Sequence, residues 1–369
     1  MRTTGKNQLV FAAFLLAMLF SISVQFCFQQ VPLIVKAQTT PSPSNTLTSE
    51  SSGNFSVIWI TDTQYLSETY PTYFDALCRW IVNNAEKYDI KMVIHTGDIV
   101  DTEGNQTQWA NANRSMSILL DAGIPYSWNA GNHDFNETCW IGNRYAAFNS
   151  TFLAEKSYWV DDEFDGQNTA IQVNVSGWKL LVVNLENLAN NTALNWANSV
   201  LDSHPDSNAI VATHAYLNDQ GKYTYQKSGQ DDSWAREFNA TVLETHSNVF
   251  LTLNGHFNTN TGRRTQVGGR NELMFDRQDE DGSLGGATLR ILTFDRADSV
   301  IDVKTFVLYA NSFLRDSSDQ FTLGTSFHND SAQVPEFSVE VILLLFVALL
   351  VIAAICCKHV VGMQVHSLS

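Results

Sequence analysis

The sequence predicts an α/β protein in which a sheet with flanking helices is followed by an antiparallel part. From about residue 55 to residue 130, short apolar runs alternate with longer amphipathic stretches, which predicts the order β-α-β-α-β. Between Ser157 and Glu186 the strands instead follow one another directly, with a turn at Ser176-Gly177. A third observation concerns function, because five predicted strands end in side chains that can bind metal ions.

Hydrophobic periodicity places the elements of the folded part in order. Phe74, Leu77, Trp80 and Ile81 have helical spacing, whereas the run 92–94 has the character of a buried strand. In chain order we expect a strand at 56–60, a helix at 73–87, a strand beginning at 91, a helix at 106–121 and strands at 125–130, 157–160, 170–175 and 179–186. The order continues with a helix at 192–204, a strand at 209–212, a helix at 232–245, a strand at 249–253 and antiparallel strands within 272–307.

The N-terminal segment lies outside this folded part. Residues 1–37 begin with Arg2 and Lys6 and continue as a long apolar run, which is typical of a secretory signal peptide or an uncleaved signal anchor. Residues 38–53 are rich in Ser, Thr and Pro and have too little apolar surface to fold, which predicts a disordered linker. We therefore expect the folded domain, at 54–323, to be exported.

A second apolar segment lies near the C-terminus, after a predicted linker at 324–337. Residues 338–357 have the length and hydropathy of a transmembrane helix, and we expect the short tail at 358–369 to be cytoplasmic. Pro335-Glu336-Phe337 resembles the PEF-type C-terminal sorting signal of archaeal surface proteins, and a plain transmembrane helix is the alternative. The expected protein is secreted and anchored to the cell membrane, with its folded domain outside.

The sequence composition excludes nucleic acid as a partner and predicts attached glycans. The formal net charge is −16, so the surface should repel nucleic acid rather than bind it. Of the five cysteines, only Cys78 and Cys139 belong to the folded part, and they either pair or are two buried thiols. Nine N-x-S/T sequons make attached glycans a further expectation for an exported chain.

Polar side chains gather at the ends of five predicted strands. They are Asp62, Gln64, Asp98, Asn132, His133, His214, His256 and Asn258. Taken singly, each has an ordinary explanation, such as a helix cap or a turn. Because α/β sheets bind their ligands at the carboxyl ends of strands, the repetition of such residues there favours a metal site.

These residues belong to an ordered set of motifs. The set reads D-x-Q at 62–64, GDIVD at 97–101, GNHD at 131–134, a lone histidine at 214 and GH-x-N at 255–258. It resembles the calcineurin-like metallophosphoesterase family, whose motifs are D-x-H, GD-x-x-D, GNH-D/E, a lone His and GH-x-H. The resemblance covers about Phe55 to Phe306 and implies a four-layer α/β/β/α sandwich.

The resemblance also implies a role for each residue at a pair of divalent metal ions, which Asp98 would bridge. The residues implied for the first ion are Asp62, Gln64 and Asn258. Those implied for the second ion are Asn132, His214 and His256. His133 would be the acid/base or transition-state partner of the phosphoryl group, oriented by Asp101 or Asp134.

Two positions depart from the family pattern, and both belong to the first ion. Gln64 and Asn258 stand where the family has histidine, so the first position offers only oxygen ligands. The two ions are expected to be Mn, Fe, Zn or Mg. Oxygen ligands suit Mg²⁺, Mn²⁺ or Ca²⁺ in the first position, whereas a borderline transition metal suits the second. Either the centre is mixed and active, or the first position has decayed and the chain is a non-catalytic or weakly active metal-binding surface module.

The function that the sequence favours is metal-dependent hydrolysis of phosphate mono- or diesters at the cell surface. In a dinuclear site, two cations about 3.5–4 Å apart clamp the attacking and leaving oxygens and activate a metal-bound water. A nearby imidazole can protonate the leaving alkoxide. Hydrolysis of another bond on the same scaffold is a further alternative, and the sequence does not identify the substrate.

Overall fold

The computed structural model describes residues 53–136, 144–156, 160–224, 232–259, 261–278 and 286–327. The predicted signal segment, transmembrane segment and tail lie outside these residues, as do the predicted linkers except for Gly53 and residues 324–327. Within the described ranges, no helix combines the length and apolar character needed to cross a membrane. Phe327, in the predicted C-terminal linker, packs its ring 5.3 Å from the ring of Trp178.

The first of two sheets has seven strands and is built from both ends of the described chain. Its parallel part consists of β1 (Phe55–Ile60), β2 (Ile90–His95) and β3 (Tyr126–Trp128). Its antiparallel part consists of β11 (Thr288–Asp295) beside β1, β12 (Val300–Val307), and both β13 (Ser312–Phe313) and β14 (Gln320–Gly324) beside β12. The helices of the parallel part are α1 (Gln64–Glu68), α2 (Pro71–Asn83) and α3 (Gln106–Asp121).

The second sheet has seven strands between residues 162 and 274. They are β4 (Asp162–Phe164), β5 (Asn168–Val175), β6 (Trp178–Asn184), β7 (Asn208–Ala212), β8 (Val249–Asn254), β9 (Arg263–Val267) and β10 (Arg270–Met274). Their spatial order is β4-β5-β6-β7-β8-β10-β9, with parallel pairing from β6 to β10 and antiparallel pairing at both edges. The helices are α4 (Ala146–Lys156), α5 (Asn191–Ser203) and α6 (Ser233–Phe238), which continues as a π-helical turn at Asn239–Leu243.

The hydrophobic core occupies both faces of the second sheet. Leu180 of β6 belongs to a cluster that includes the first sheet, and the ring of Trp178 lies 5.2 Å from that of Phe55. Leu181, the next residue of β6, belongs to a second cluster with α5 and α6. This alternation follows from the two-residue period of a strand. The two sheets therefore pack face to face, with α5 and α6 on the outer face of the second.

The predicted α/β class is confirmed, and the helix predicted at 106–121 has these bounds in the structure. The antiparallel strands predicted within 272–307 are confirmed for β11 and β12, whereas β10 is antiparallel only to β9 and pairs in parallel with β8. An apolar run is compatible with either direction of pairing, and the unpredicted strand β9 supplies the reversal that brings β10 back beside β8.

Other predicted elements are shorter in the structure. The helix predicted at 232–245 is α-helical only to Phe238. The π-helical turn that follows begins at Asn239, whose Oδ1 accepts hydrogen bonds from Tyr216 at 3.1 Å and Arg270 at 2.7 Å. These tertiary contacts explain the departure from the regular helix. Of the strand predicted at 157–160, residues 157–159 lie outside the described residues, and the described strand β4 begins at Asp162.

Candidate metal centre

The ends of five parallel strands meet at one edge between the two sheets. Asp62, Asp98 and Asn132 follow β1, β2 and β3, whereas His214 and His256 follow β7 and β8. The main-chain N–H of His256 donates to both carboxylate oxygens of Asp62 at 3.1 Å, which joins a loop of the second sheet to a loop of the first. The structure therefore brings together residues that lie up to 194 positions apart in the chain.

Four of the predicted ligands converge at the position implied for the second ion. His214 Nε2 lies 3.2 Å from Asp98 Oδ2, 3.0 Å from Asn132 Oδ1 and 3.1 Å from His256 Nδ1. Ligand atoms of Asp98, His214 and His256 all lie within 4.8 Å of one another. Two imidazoles, a carboxylate and an amide oxygen make a donor set that suits a divalent transition metal.

Hydrogen bonding orients His214, and the charges around it shift its pKa. Its Nδ1–H donates to the main-chain carbonyl of Thr96 at 2.9 Å, so Nε2 faces the centre. Burial alone would lower the pKa of His214, but the nearby carboxylates of Asp98 and Asp62 raise it to about 10. Burial would raise the pKa of Asp98, but the positive charge of His214 lowers it to about 2. The two buried side chains thus shift each other's pKa in opposite directions.

The position implied for the first ion is rich in buried carboxylates. Asp62 is fully buried and accepts hydrogen bonds from Thr61 Oγ1 and the His256 N–H. Its pKa is raised well above the usual range, first by burial and then by the negative charge of Asp276. Asp276 is itself fully buried and was not among the residues predicted from the sequence. Like the candidate ligands predicted from the sequence, Asp276 follows a strand, and that strand, β10, pairs in parallel with β8. This position after a strand is the sequence signal that could have identified it.

The two residues that depart from the family pattern lie in different surroundings. The amide end of Gln64 lies 3.0 Å from the main-chain carbonyls of both Asp62 and Asp98. Because both partners are acceptors, this end must be the NH₂ group, and Gln64 donates to the loops that carry the candidate ligands. Asn258 is half-buried, and the N–H of the next residue, Thr259, donates to the carbonyl of Asp276 at 3.2 Å.

His133 is oriented by Asp101 rather than by Asp134. The His133 Nδ1–H donates to the Asp101 carbonyl at 2.8 Å, and Asp101 Oδ1 lies 3.6 Å from the same nitrogen. The main-chain N–H of His133 donates to Asp98 Oδ1 at 2.9 Å. Burial would lower the pKa of His133, but the charges of Asp98 and Asp101 raise it. The imidazole ring of His133 is thus held beside the centre, where its protonated form is favoured.

Asp134 instead supports the loops that carry the candidate ligands. Its Oδ1 accepts the N–H groups of Ile99 at 2.8 Å and Val100 at 3.0 Å, and its Oδ2 accepts that of Gly131 at 2.8 Å. Burial and the negative charge of Asp98 raise the pKa of Asp134 to about 7. The side chain therefore ties the loop after β2 to the loop after β3.

His95, the last residue of β2, is a second supporting residue that the sequence did not indicate. Its Nδ1 accepts the N–H of Gly97 at 3.1 Å, and its Nε2–H donates to Thr63 Oγ1 at 2.9 Å. Burial and the positive charge of His214 lower the pKa of His95 to about 3. The imidazole is therefore neutral and holds the Gly97-Asp98 turn in place.

The backbone at the centre is constrained. Asp62, Asp98 and His256 have φ values of 50°, 52° and 71°, in the left-handed region that costs a side-chain-bearing residue energy. A Cβ on Gly131 would lie 2.1 Å from Asp98 Oδ1, and one on Gly255 would lie 2.1 Å from Asp62 Oδ2. Only glycine therefore allows these loops to approach the two carboxylates. Strain concentrated at three candidate ligands is typical of a functional site.

The donor chemistry fits divalent metal ions. Carboxylates that are buried together repel one another, and a bound cation relieves that repulsion. Asp62, Asp98 and Asp276 supply such carboxylates, while His214 presents Nε2 to the same space. The candidate ligands thus form two groups that share Asp98. One group supplies mainly oxygen atoms, and the other supplies imidazole nitrogens.

Comparison with known proteins identifies the family of this chain. The sequence profile described as calcineurin-like phosphoesterase matches residues 55–257, which include the motifs from Asp62 to His256. The chain is 31% identical over 276 residues to the uncharacterized protein YvnB of Bacillus subtilis, an alignment that covers 69% of this chain. It spans only 20% of the length of that relative.

Solved structures with some likeness are more distant. Purple acid phosphatase PPD1 from yellow lupin (Lupinus luteus) is 15% identical with a TM-score of 0.48, covering 75% of this chain and 55% of that one. GAP50 of Plasmodium, described as the anchor in the inner membrane complex, is 10% identical with a TM-score of 0.47, covering 75% of this chain and 90% of that one. The family assignment rests on the profile match, which spans more than half of the sequence. The chain belongs to the calcineurin-like phosphoesterase family.

Proposed function

We propose that this chain hydrolyses phosphate mono- or diesters at a centre of two divalent metal ions, on a four-layer α/β/β/α sandwich. Membership of the phosphoesterase family supports metal-dependent phosphoester hydrolysis. The observation that carries the proposal is the convergence of Asp98, His214 and His256, whose ligand atoms lie within 4.8 Å of one another. His133 stands on the adjoining loop, with its main-chain N–H on Asp98.

The residues proposed to hold the ions divide into two groups that share Asp98. The first group is Asp62, Gln64, Asp98 and Asn258, and we add Asp276 because it is buried and its charge acts on Asp62. The second group is Asp98, Asn132, His214 and His256. When bound, the two ions would polarise the phosphoryl oxygens and lower the pKa of water. Ligation by Gln64 would require its amide to turn, because its NH₂ group contacts the main chain.

The protein's own contribution to the reaction is placement of charge and of a proton. Asp101 fixes the His133 ring through Nδ1, and the carboxylates of Asp98 and Asp101 favour its protonated form. His133 would therefore donate a hydrogen bond to a phosphoryl oxygen or a proton to the leaving alkoxide. His95 and Asp134 hold the loops so that Asp98 and Asn132 keep their positions.

The test uses the full-length chain, stripped of metal and refilled separately with Mn²⁺, Mg²⁺, Zn²⁺ or Ca²⁺. Each form is assayed on an aryl phosphate monoester and on an aryl phosphate diester. We expect turnover that requires metal and is lost in Asp98→Asn, whereas Asp316→Asn, at a mostly exposed acid, keeps it. Absence of turnover with every metal, in a folded protein, would refute the proposal.

A second candidate function is a metal-binding surface module without catalysis. The observation that favours it is the amide of Gln64, which donates to two main-chain carbonyls instead of presenting an oxygen ligand. This alternative predicts one tightly bound ion per chain and no turnover. Metal stoichiometry measured on the same samples separates it from the catalytic proposal.

We also propose that the folded domain is exported and held at the membrane. The long apolar run within residues 1–37 and the apolar segment at 338–357 support this location, and the PEF-like sequence before the second segment would allow its replacement by another anchor. Glycans on some of the nine sequons are part of the same proposal. Protease added to intact cells that express the chain should degrade the folded domain.

A further inference from the structure

A chain of buried hydrogen bonds leads from β1 to the candidate metal centre. The indole N–H of Trp59 donates to Thr96 Oγ1 at 3.0 Å, and the Thr96 hydroxyl donates to Thr61 Oγ1 at 2.6 Å. The Thr61 hydroxyl in turn donates to Asp62 Oδ2. All four residues are at most 5% exposed, so bulk solvent does not compete for these bonds. Asp62 thus accepts the last hydrogen bond of a chain that begins in the core.

Only one direction of donation satisfies every group in this chain. An indole N–H can donate but not accept, whereas an ionised carboxylate, the form that binds a cation, can accept but not donate. The single proton of each threonine hydroxyl must therefore point toward Asp62. If Thr61 donated to Thr96 instead, Asp62 Oδ2 would face an oxygen lone pair. The bonds are thus aligned head to tail, an arrangement in which each bond strengthens the next.

The hydrogen bond from Thr61 restrains the orientation of the Asp62 carboxylate. The main-chain N–H of His256 lies 3.1 Å from both carboxylate oxygens and restrains them from a second direction. A Cβ on Gly255 would lie 2.1 Å from both Thr61 Oγ1 and Asp62 Oδ2, so the loop after β8 packs directly on the bond between them. A ligand that is already held in one orientation loses less conformational freedom when it binds, and binding is stronger for that reason.

Thr96 contacts both groups of candidate ligands, but through different atoms. Its hydroxyl belongs to the chain that ends at Asp62, whereas its main-chain carbonyl accepts the Nδ1–H of His214 at 2.9 Å. A change of the Thr96 side chain therefore breaks the connection to Asp62 and leaves the main-chain contact with His214 in place. The two groups of ligands can be perturbed separately at this residue.

We propose that Thr61 and Thr96 are positioning residues for the first metal ion, acting through the carboxylate of Asp62. The inference rests on the proposed function, in which Asp62 holds the first of two ions. Neither threonine belongs to the proposed ligands or to the proton-donating residues. Removal of either hydroxyl should weaken the binding of the first ion and leave the binding of the second nearly unchanged.

Calorimetric titration of the metal-free, full-length chain with Mn²⁺ measures the dissociation constants of the two ions. Asp62→Asn identifies the ion that Asp62 holds, because this change should weaken that ion most. Thr61→Val keeps the shape of the side chain and removes the hydroxyl, so it should raise the same dissociation constant about 10–100-fold and the other less than about threefold. Thr61→Ser, which keeps the hydroxyl, should bind both ions within about threefold of the wild type.

A double-mutant cycle tests whether the two hydroxyls act as one chain. Thr96→Val alone should raise the dissociation constant of the first ion about tenfold. In the Thr61→Val background the chain is already broken, so the same change at Thr96 should have no further effect on that constant. The control is Thr293→Val, which removes a hydroxyl that is hydrogen-bonded to Ser56 in the same sheet and should leave both constants unchanged.

Three results would overturn the inference. If Thr61→Val binds both ions as tightly as the wild type, the hydroxyl does not position Asp62. If Thr61→Val weakens both ions equally, the hydroxyl supports the fold rather than one ligand. If Thr96→Val has the same effect in both backgrounds, the hydroxyls do not form one chain. A wild-type chain that binds fewer than two ions would instead refute the two-ion centre and this inference with it, so the two failures are distinguishable.

Discussion

The neutral state of His95 makes the stability of the metal-free protein depend on pH. The folded-state pKa of about 3 lies below the ordinary value of 6.5, because burial and the charge of His214 disfavour the imidazolium. The unfolded chain therefore binds a proton that the folded chain rejects. The resulting stability is complete above pH 6.5 and is lost progressively as the pH falls toward 3.

The magnitude follows from the two pKa values. Each pH unit below the unfolded pKa costs about 1.4 kcal/mol, so lowering the pH from 7 to 5 should cost about 2 kcal/mol through His95 alone. The assay is urea unfolding of the metal-free, full-length chain with a chelator, at pH 7 and pH 5. Other groups also titrate in this range, so the wild type is compared with His95→Asn.

The expected result is a smaller loss in the variant. His95→Asn should be less stable than the wild type at pH 7, because it loses hydrogen bonds to Gly97 and Thr63. Its further loss between pH 7 and pH 5 should be about 2 kcal/mol smaller than that of the wild type. His246→Asn, at a half-buried histidine after the π-helical turn, is the control. Equal losses in the wild type and His95→Asn would refute the reasoning.

Three further predictions concern the centre itself. Gly131→Ala should lower the free energy of unfolding by about 1–3 kcal/mol, because the new Cβ would lie 2.1 Å from Asp98 Oδ1. The control is Gly104→Ala, where a Cβ would have no atom within 4 Å, and this variant should change the free energy of unfolding little. Equal effects of the two variants would contradict the close-approach argument. In equilibrium dialysis, Asp276→Asn should lose one of two bound Mn²⁺ ions and keep the second. The control variant Glu186→Gln should keep both ions. Retention of both ions by Asp276→Asn would exclude Asp276 as a ligand. His133→Asn should lower kcat for an aryl phosphate about 10²–10⁴-fold while metal stoichiometry stays the same, and a loss of metal would show that His133 acts as a ligand instead.

The conformation of Asp98 depends on neighbouring residues that are not themselves candidate ligands. Asp98 sits on a left-handed turn, with Gly131 packed against its carboxylate and His95 holding the preceding residue, Gly97. Asp134 then links this turn to the next loop through three main-chain N–H groups. The free energy that keeps Asp98 in its strained conformation comes from these buried hydrogen bonds.

The sequence by itself determined the fold class and most of the residues at the centre. Apolar periodicity is local, so the helix at 106–121 and the strands ending before Asp62, Asp98 and His256 can be read within a few neighbouring positions. Motif spacing then selects the candidate ligands, because the carboxyl ends of parallel strands lie at the same edge.

Only the tertiary structure decided which residues join those ligands from distant segments. Asp276 reaches the centre because β10 pairs in parallel with β8, which the apolar pattern of β10 does not encode. Likewise, Asp101 rather than Asp134 contacts the His133 ring, although both acids are close to it in sequence. An open cavity of about 560 Å³ is lined by Phe135 and Arg144, from the connection after β3, and by Glu186, which follows β6. Strand partners and loop contacts are set by the summed free energy of packing across the whole core, which no local stretch of sequence contains.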